Sequence, residues 1–316
     1  LPTDSEFATF VDPHRRELLA HCYRMLGSFQ DAEDAVQETL LRAWRGFDNF
    51  EGRASARTWL YRIATNVCLT AAENRERRVL PSGLGGAQDD GTAPLADRRA
   101  EVLWLEPIPD HAFAGDPADV VTSRDTMRLA FVAALQNLPA RQRAALLLRD
   151  VVGLPAAEVA AQLDLSAAAV NSALQRARAH VEGRSNAEEV VMDEVDTSLV
   201  DSFIAAFESA DIPALAALLR HDVELEMPPI PTWFAGHSAV VEFFATRALR
   251  SAGGRRVLAT RANGCPAVAT YTCTEDGTYA AHSVQVLETV DGKITHIYAF
   301  LDTDLFGVFD LPLALP

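Results

Sequence analysis

Between Gly52 and Arg78 the chain interleaves arginine with aromatic rings. Arg53, Arg57, Arg62, Arg75, Arg77 and Arg78 stand near Trp59 and Tyr61, six arginines against two glutamates in a chain whose net charge is −16. Guanidinium groups hold phosphates and rings stack on unpaired bases, so this mixture suits single-stranded or melting nucleic acid. Trp59, Ile63, Val67 and Leu69 also fall at core spacing, and for most of them packing is the simpler reading. A second set follows Ser166. Ala167, Asn171, Ser172, Gln175, Arg176 and Arg178 share the outer face of one helix and can reach bases and phosphates. In the last third, Glu226 precedes Met227, and His237, His282 and His296 could act as acids, bases or ligands. The histidines lack metal-like spacing, so no metal and no cofactor is expected.

The elements that must carry these groups are mostly helical. Leu138–Val181 reads as three short helices: Pro139–Arg149, Pro155–Gln162, and a third from the N-cap candidate Ser166 to His180. Gly153 and Asp164–Leu165 make the turns. Val159, Ala160 and Leu163 would pack on Val170 and Leu174, which is the arrangement of a helix-turn-helix. A plain three-helix packing unit fits the same pattern. Upstream, apolar residues at Phe7, Phe10, Leu18, Leu19, Cys22, Tyr23 and Leu26 predict a helix closed by Gly27. Asp31 can cap the next helix. That helix buries Ala32, Val36, Leu40, Ala43 and Trp44, and shows Asp34, Gln37, Glu38 and Leu41. An acidic face with an exposed leucine suits either solvent or a basic partner.

Composition sets limits. With 316 residues, half of them hydrophobic, the chain should hold two or three domains. No apolar run reaches the ~18–20 residues of a membrane span, and a cytoplasmic protein with no membrane partner is expected. Cys22, Cys68, Cys265 and Cys273 read as reduced thiols, with a Cys265–Cys273 disulfide as the alternative. The acidity argues against tight DNA binding by the chain alone.

The run DAEDAVQETLLRAW, then FEGRASARTWLYRIATN, then the helix-turn-helix, resembles the extracytoplasmic-function sigma factors of the sigma-70 family. The resemblance covers roughly residues 7–80 and 125–182. It implies an all-α sigma region 2 over residues 1–80, docking on RNA polymerase and opening the −10 element. It implies a region 4 over 124–182, reading the −35 element. Carried over, Asp31, Asp34, Gln37, Glu38, Leu41 and Arg42 face polymerase. Phe50, Arg53, Ser55, Arg57, Trp59, Tyr61 and Asn66 sit at the −10 element, with Arg75, Arg77 and Arg78 on phosphate. Ser166, Ala167, Asn171, Ser172, Gln175, Arg176 and Arg178 address the −35 element. The family commonly reads V-K-S-R-L-x-R-A-R in this last helix. Asn171 and Ala173 replace two of its cations, which should weaken −35 binding and flatten its salt dependence. Because the polymerase supplies most of the DNA affinity, the sigma subunit need not be basic.

Residues 81–123 read as a flexible linker, rich in Gly, Pro and Asp, interrupted by the apolar VLWLEPIPDHAF. Trp104, Leu105 and Pro107 form a Trp-Leu-x-Pro element resembling that of sigma-J-like and sigma-G-like factors. A Trp-anchored extended segment suits a groove, and a local loop packed on its own domain suits it equally. Residues 183–195 read as an acidic hinge. From 196 to 316, helices followed by antiparallel strands predict an α+β cone, and HDVELEMPPIPTWFAGHSAVVEFF resembles the SnoaL-like (NTF2-like) fold. Relatives of that fold include ketosteroid isomerases, whose base lies in a V-E-D-P motif. Met227 takes the base position here and a thioether accepts no proton, while Glu226 points to the other face of the strand. Met227, Trp233, Phe234, His237, Phe243, Tyr271 and Tyr298 would line a core or a small apolar pocket, with a small-molecule ligand as one use.

The expectation is therefore a multidomain chain, two all-α sigma domains plus an α+β cone. It would bind core RNA polymerase and promoter DNA and catalyse nothing. The C-terminal domain would contact the sigma domains and tune them in cis. The alternatives are a SnoaL-type small-molecule enzyme, or a ligand-sensing transcription regulator acting without polymerase.

Overall fold

The computed structural model describes residues 4–52, 55–73, 76–113, 125–182 and 197–316. They group into two compact units, one from Leu1–Arg78 with His111–Glu188, the other from Val79–Asp110 with Glu189–Pro316. The hinge read at 183–195 lies outside the described residues.

The first unit is helical. It comprises α1 (Asp4–Val11), α2 (Arg15–Leu26), α3 (Phe29–Gly46) and α4 (Ala56–Ala72). After the single turn α5 (Asp110–Phe113) come α6 (Leu129–Gln136), α7 (Ala140–Leu146), α8 (Ala156–Gln162) and α9 (Ala167–Glu182). The single helix expected over Phe7–Leu26 is broken by a 3-10 turn, Asp12–His14, because Pro13 has no N–H to continue an α-helical ladder. Gly27, at φ 74°, ends α2. The cap of α3 is Ser28, not Asp31: its hydroxyl accepts from the Asp31 amide at 3.2 Å. Ser55 caps α4, accepting from Thr58 N at 3.0 Å.

Sequence reading separates residues 1–80 from 124–182, yet their described parts share one core. Arg143 on α7 is 6 % exposed and donates to the Met25 carbonyl, to Gln136 Oε1 at 2.6 Å, and to the Leu138 carbonyl at 3.2 Å. Burial lowers its pKa to about 10. Arg24 on α2 donates to Thr126 Oγ1 at 2.8 Å. A buried guanidinium is tolerated only where carbonyls satisfy it, so these contacts bind α2 to α6 and α7.

The second unit opens with Val79–Asp110, followed by α10 (Thr197–Ser209) and α11 (Ile212–Leu218). Its sheet comprises β1 (Leu219–Met227), β2 (Ile230–Ala235), β3 (Arg255–Ala262), β4 (Cys265–Cys273), β5 (Tyr279–Val290) and β6 (Lys293–Phe300). Strand order is β2-β1-β6-β5-β4-β3, with β1 and β6 parallel and the other pairs antiparallel. Helix α12 (His237–Phe243) follows β2, and α13 (Leu305–Val308) and β7 (Ala314–Leu315) close the chain. Phe203, Phe207, Val223, Leu225, Phe234, Val240 and Ile297 form the core between helices and one sheet face. The Pro-rich turn expected after Met227 is present at Pro228–Pro229, and β2 follows at once; Pro231 fits in β2 because the strand lies at the sheet edge, where one side needs no ladder donor.

The segment read as a flexible linker is strapped down over Val79–Asp110. The Gln88 amide donates to Trp233 O at 2.8 Å, Arg99 N to Pro229 O at 2.9 Å, and Asn263 N to Ile108 O at 2.9 Å. Trp233 Nε1 donates to Gly85 O at 2.9 Å. Asp110 accepts from Gly264 N at 2.7 Å and from Arg261 Nε at 2.9 Å. The strap pairs along the free edge of β2 and so covers an otherwise open row of backbone groups. Composition misled here because glycines and aspartates serve contacts as well as flexibility.

Candidate polymerase and nucleic-acid interface

The residues expected to face polymerase all lie on α3. Asp34, Gln37 and Arg42 are exposed, and Leu41 is 51 % exposed, unusual for a leucine beside a packed core. Glu38 accepts from Arg42 Nε at 2.6 Å one turn on, which fixes both side chains along the face. Asp31 differs. It pairs with Arg78 at 2.7 Å, both side chains 15 % exposed or less. A residue assigned to polymerase and one assigned to phosphate are thus joined to each other.

The residues assigned to the −10 element divide three ways. Ser55, Asn66 and Arg77 are exposed, Arg77 donating to Asn137 Oδ1 at 2.6 Å. Phe50 and Trp59 are half-buried in an aromatic cluster, ring centroids 4.9 Å apart, with Phe10 within 5.2 Å of Phe50. Tyr61 is buried, and burial pushes its hydroxyl pKa well up; its Oη lies 3.2 Å from Glu17 Oε2. As placed, its ring cannot stack on a base. Arg57 lies over that ring at 4.9 Å and donates to Glu17 Oε2 at 2.7 Å. Arg53 and Arg75 lie outside the described residues. Sequence reading missed Glu17, which holds both Arg57 and Tyr61. Its signal was its place on α2, opposite an Arg-rich helix.

The helix-turn-helix is built as its periodicity implies. Val159, Ala160 and Leu163 are buried, as are Val170, Leu174 and Ala177 of α9. The turn places Asp164 at φ 53°, and Ser166 Oγ accepts from Ala169 N at 3.1 Å to cap α9. Ser166, Ala167, Asn171, Ser172, Gln175, Arg176 and Arg178 are all exposed. Ala173 is 5 % exposed and faces inward, so a cation there would point at the core. Of the two replaced cations, only Asn171 alters the outer face. Arg178 forms a two-pronged pair with Asp150, at 2.6 and 2.9 Å.

In the second unit, the seven candidate pocket residues divide between the two sheet faces. Met227, Phe234 and Phe243 belong to the core under the helices. His237 lies at its rim, Nε2 3.0 Å from Ala216 O. Trp233 points to the other face, toward the strap. Tyr271 packs edge-on against Phe306 at 5.3 Å, and Tyr298 stacks on His296 at 3.8 Å, both on that other face. Alternation along strands explains the division. In the strap, Leu105, Pro107 and Ile108 are buried, while Trp104 is half-buried, its Nε1 donating to Arg99 O at 2.9 Å.

Family models match along the chain: sigma-70 region 2 at residues 10–78, sigma-70 region 4 at 128–181, and a SnoaL-like domain at 200–297. The ECF RNA polymerase sigma factor SigG of Mycobacterium tuberculosis is 47 % identical over 98 % of this chain and 85 % of its own length. The chain belongs to the ECF RNA polymerase sigma factors. Its function is accordingly a sigma factor's, in transcription initiation by RNA polymerase. SigW of Bacillus subtilis is 30 % identical over 54 % of this chain and 84 % of its own. The crystal structure of the Mycobacterium tuberculosis sigma factor SigJ superposes with a TM-score of 0.64 at 24 % identity, covering 98 % of this chain and all of that one, and shares the fold. Among the described residues of this sigma factor, no helix is long and apolar enough to cross a membrane.

Proposed function

We propose that this sigma factor docks core RNA polymerase through Asp34, Gln37, Glu38, Leu41 and Arg42. Helix α4 and its preceding loop then engage the −10 element, and the outer face of α9 reads the −35 element. One observation carries the reading: α9 buries its apolar stripe and exposes Asn171, Ser172, Gln175 and Arg176 together, the pattern of a helix that enters a major groove. The chain works in the cytoplasm and catalyses nothing. Met227, at the position of an isomerase base, is a core side chain 4 % exposed, and it has no proton-accepting group.

The SnoaL-like domain tunes this activity in cis. The test is polymerase-dependent transcription by the full chain and by a version ending near Val181, on a promoter selected with the shorter protein. Higher activity on truncation makes the domain an inhibitor, and loss of activity in a folded fragment makes it a required part. No polymerase-dependent transcription from either version overturns the sigma-factor assignment of these residues. Unchanged activity on truncation overturns the tuning.

A further inference from the structure

Four side chains on the strap-facing side of the sheet form a cluster that transcription initiation does not use. Glu224 and Glu226 alternate on β1, and Glu224 is in register with His296 on the neighbouring β6. Glu288 of β5 is in register with His296 from the other side. His296 Nδ1 lies 3.4 Å from Glu224 Oε2, and Nε2 lies 3.1 Å from Glu226 Oε1 without hydrogen-bond alignment. One ligand atom from each of Glu224, Glu226 and His296 falls within 4.8 Å of the others. The stacked Tyr298 ring closes one side of the imidazole.

Charge makes this cluster unusual. Glu226 is 1 % exposed and Glu288 9 %, and Glu288 Oε1 is buried with no hydrogen-bond partner. Burial raises the pKa of Glu224; His296 opposes that rise, and Glu226, Asp222 and Glu288 add to it. Acidic side chains from β1 and β5 thus flank one imidazole in a partly buried site, where such groups are either paired or coordinate a metal. Glu226 Oε2 already accepts from the Ser82 amide of the strap at 2.7 Å, which leaves Oε1 to face the cluster.

We infer that Glu224, Glu226 and His296 bind one divalent first-row transition-metal ion between the sheet and the strap, with Glu288 as an acidic neighbour. One imidazole with carboxylate oxygens is the donor set that suits zinc or manganese. Around a tetrahedral ion the donors stand about 3.4 Å apart. Closing the cluster to that spacing needs a rotamer change of Glu224, whose side chain is 40 % exposed and free to turn. The ion would join β1 and β6, and through Glu226 and Ser82 would hold the strap. Chain spacing hides this site because the ligands come from two strands far apart in sequence and paired in space.

Cobalt(II) titration of the chelator-stripped full chain tests it, read by equilibrium dialysis and visible absorption. The expected result is one Co2+ per chain, without a thiolate-to-cobalt charge-transfer band, which separates binding by carboxylate and imidazole from capture by a cysteine thiol. Glu226→Gln and His296→Asn should each weaken binding by at least about 10-fold. If either fails to fold by circular dichroism, Glu224→Gln at its half-exposed position carries the comparison. No stoichiometric Co2+ on the folded chain, a thiolate band, or variants that bind like the parent would each overturn the site and leave an ion-pair network.

Discussion

The guanidinium of Arg57, on α4, donates to the backbone carbonyl of Val152 at 3.1 Å, in the turn that opens the helix-turn-helix. Gln162 of α8 reaches back in the same way, its Nε2 donating to Thr58 O at 3.4 Å. Helix α4 and the helix-turn-helix are therefore in contact. The −10 and −35 elements are roughly 25 base pairs apart by name, about 85 Å of duplex at 3.4 Å per base pair. With the promoter contacts proposed above, both elements cannot be held while Arg57 touches Val152, so opening of the unit is the expected outcome. Dye labels at Arg62→Cys and Glu158→Cys, in a Cys273→Ser background, should move apart by tens of ångströms on binding polymerase and promoter. An unchanged energy-transfer efficiency in an active holoenzyme would rule out this opening.

His21 gives the first unit an acid limit. It is 1 % exposed, and its Nε2 lies 3.0 Å from Thr65 Oγ1. Burial first, then the charges of Arg24 and Arg57, lower its pKa from 6.5 to about 3. The unfolded chain takes up a proton near pH 6.5 and the folded chain only near pH 3. Between those values the unfolded state binds more protons. The stability is fully present above pH 6.5 and is lost progressively as pH falls toward 3. Urea denaturation of the parent and of His21→Gln should differ in slope by up to about 1.4 kcal/mol per pH unit in this window. Parallel curves would show that His21 is not the titrating group.

Strap docking turns on Gly91, where a Cβ would meet Ala239 O at 2.4 Å and Phe243 N at 2.6 Å. These are backbone atoms of α12 and its border and cannot step aside as a side-chain tip can. The Gly91 amide also donates to Glu242 Oε2 at 3.0 Å. Gly91→Ala should cost about 1–3 kcal/mol and release the strap. Limited proteolysis is the measurement: cleavage within 79–110 should quicken in the variant while the helical unit stays resistant. A parent-like cleavage pattern would contradict the packing.

Salt dependence separates the two arginines of α9. Arg176 is exposed, so Arg176→Ala should lower the slope of log affinity against log salt by about 0.9 for holoenzyme on promoter DNA. Arg178 is held by Asp150, so Asp150→Asn should release it and strengthen binding at low salt. If neither variant shifts the slope, α9 does not lie along phosphates.

Exposed Leu41 predicts a docking effect without a folding effect. Leu41→Ala should weaken core polymerase binding by about 1–2 kcal/mol and leave the thermal midpoint unchanged. Equal loss in both measurements would make Leu41 a packing residue.

What the sequence determined by itself is whatever local periodicity can specify. The buried stripe of Val159, Leu163, Val170 and Leu174, the cap at Ser166 and the turn at Gly27 follow from neighbours three or four residues apart, which a helix brings together wherever it sits. The opposite facings of Met227 and Glu226 follow equally from strand alternation. The tertiary structure alone decided which residues meet across elements. Asp31 meets Arg78, Arg57 meets Glu17 and Val152, and the strap meets β2 through contacts far apart in the chain. Glu224, Glu226, Glu288 and His296 become a cluster only because β1, β6 and β5 are adjacent, an order that no spacing along one strand encodes. Long-range pairing is set by the burial of whole faces, and charged groups on those faces are carried to partners that their own neighbours in sequence do not announce.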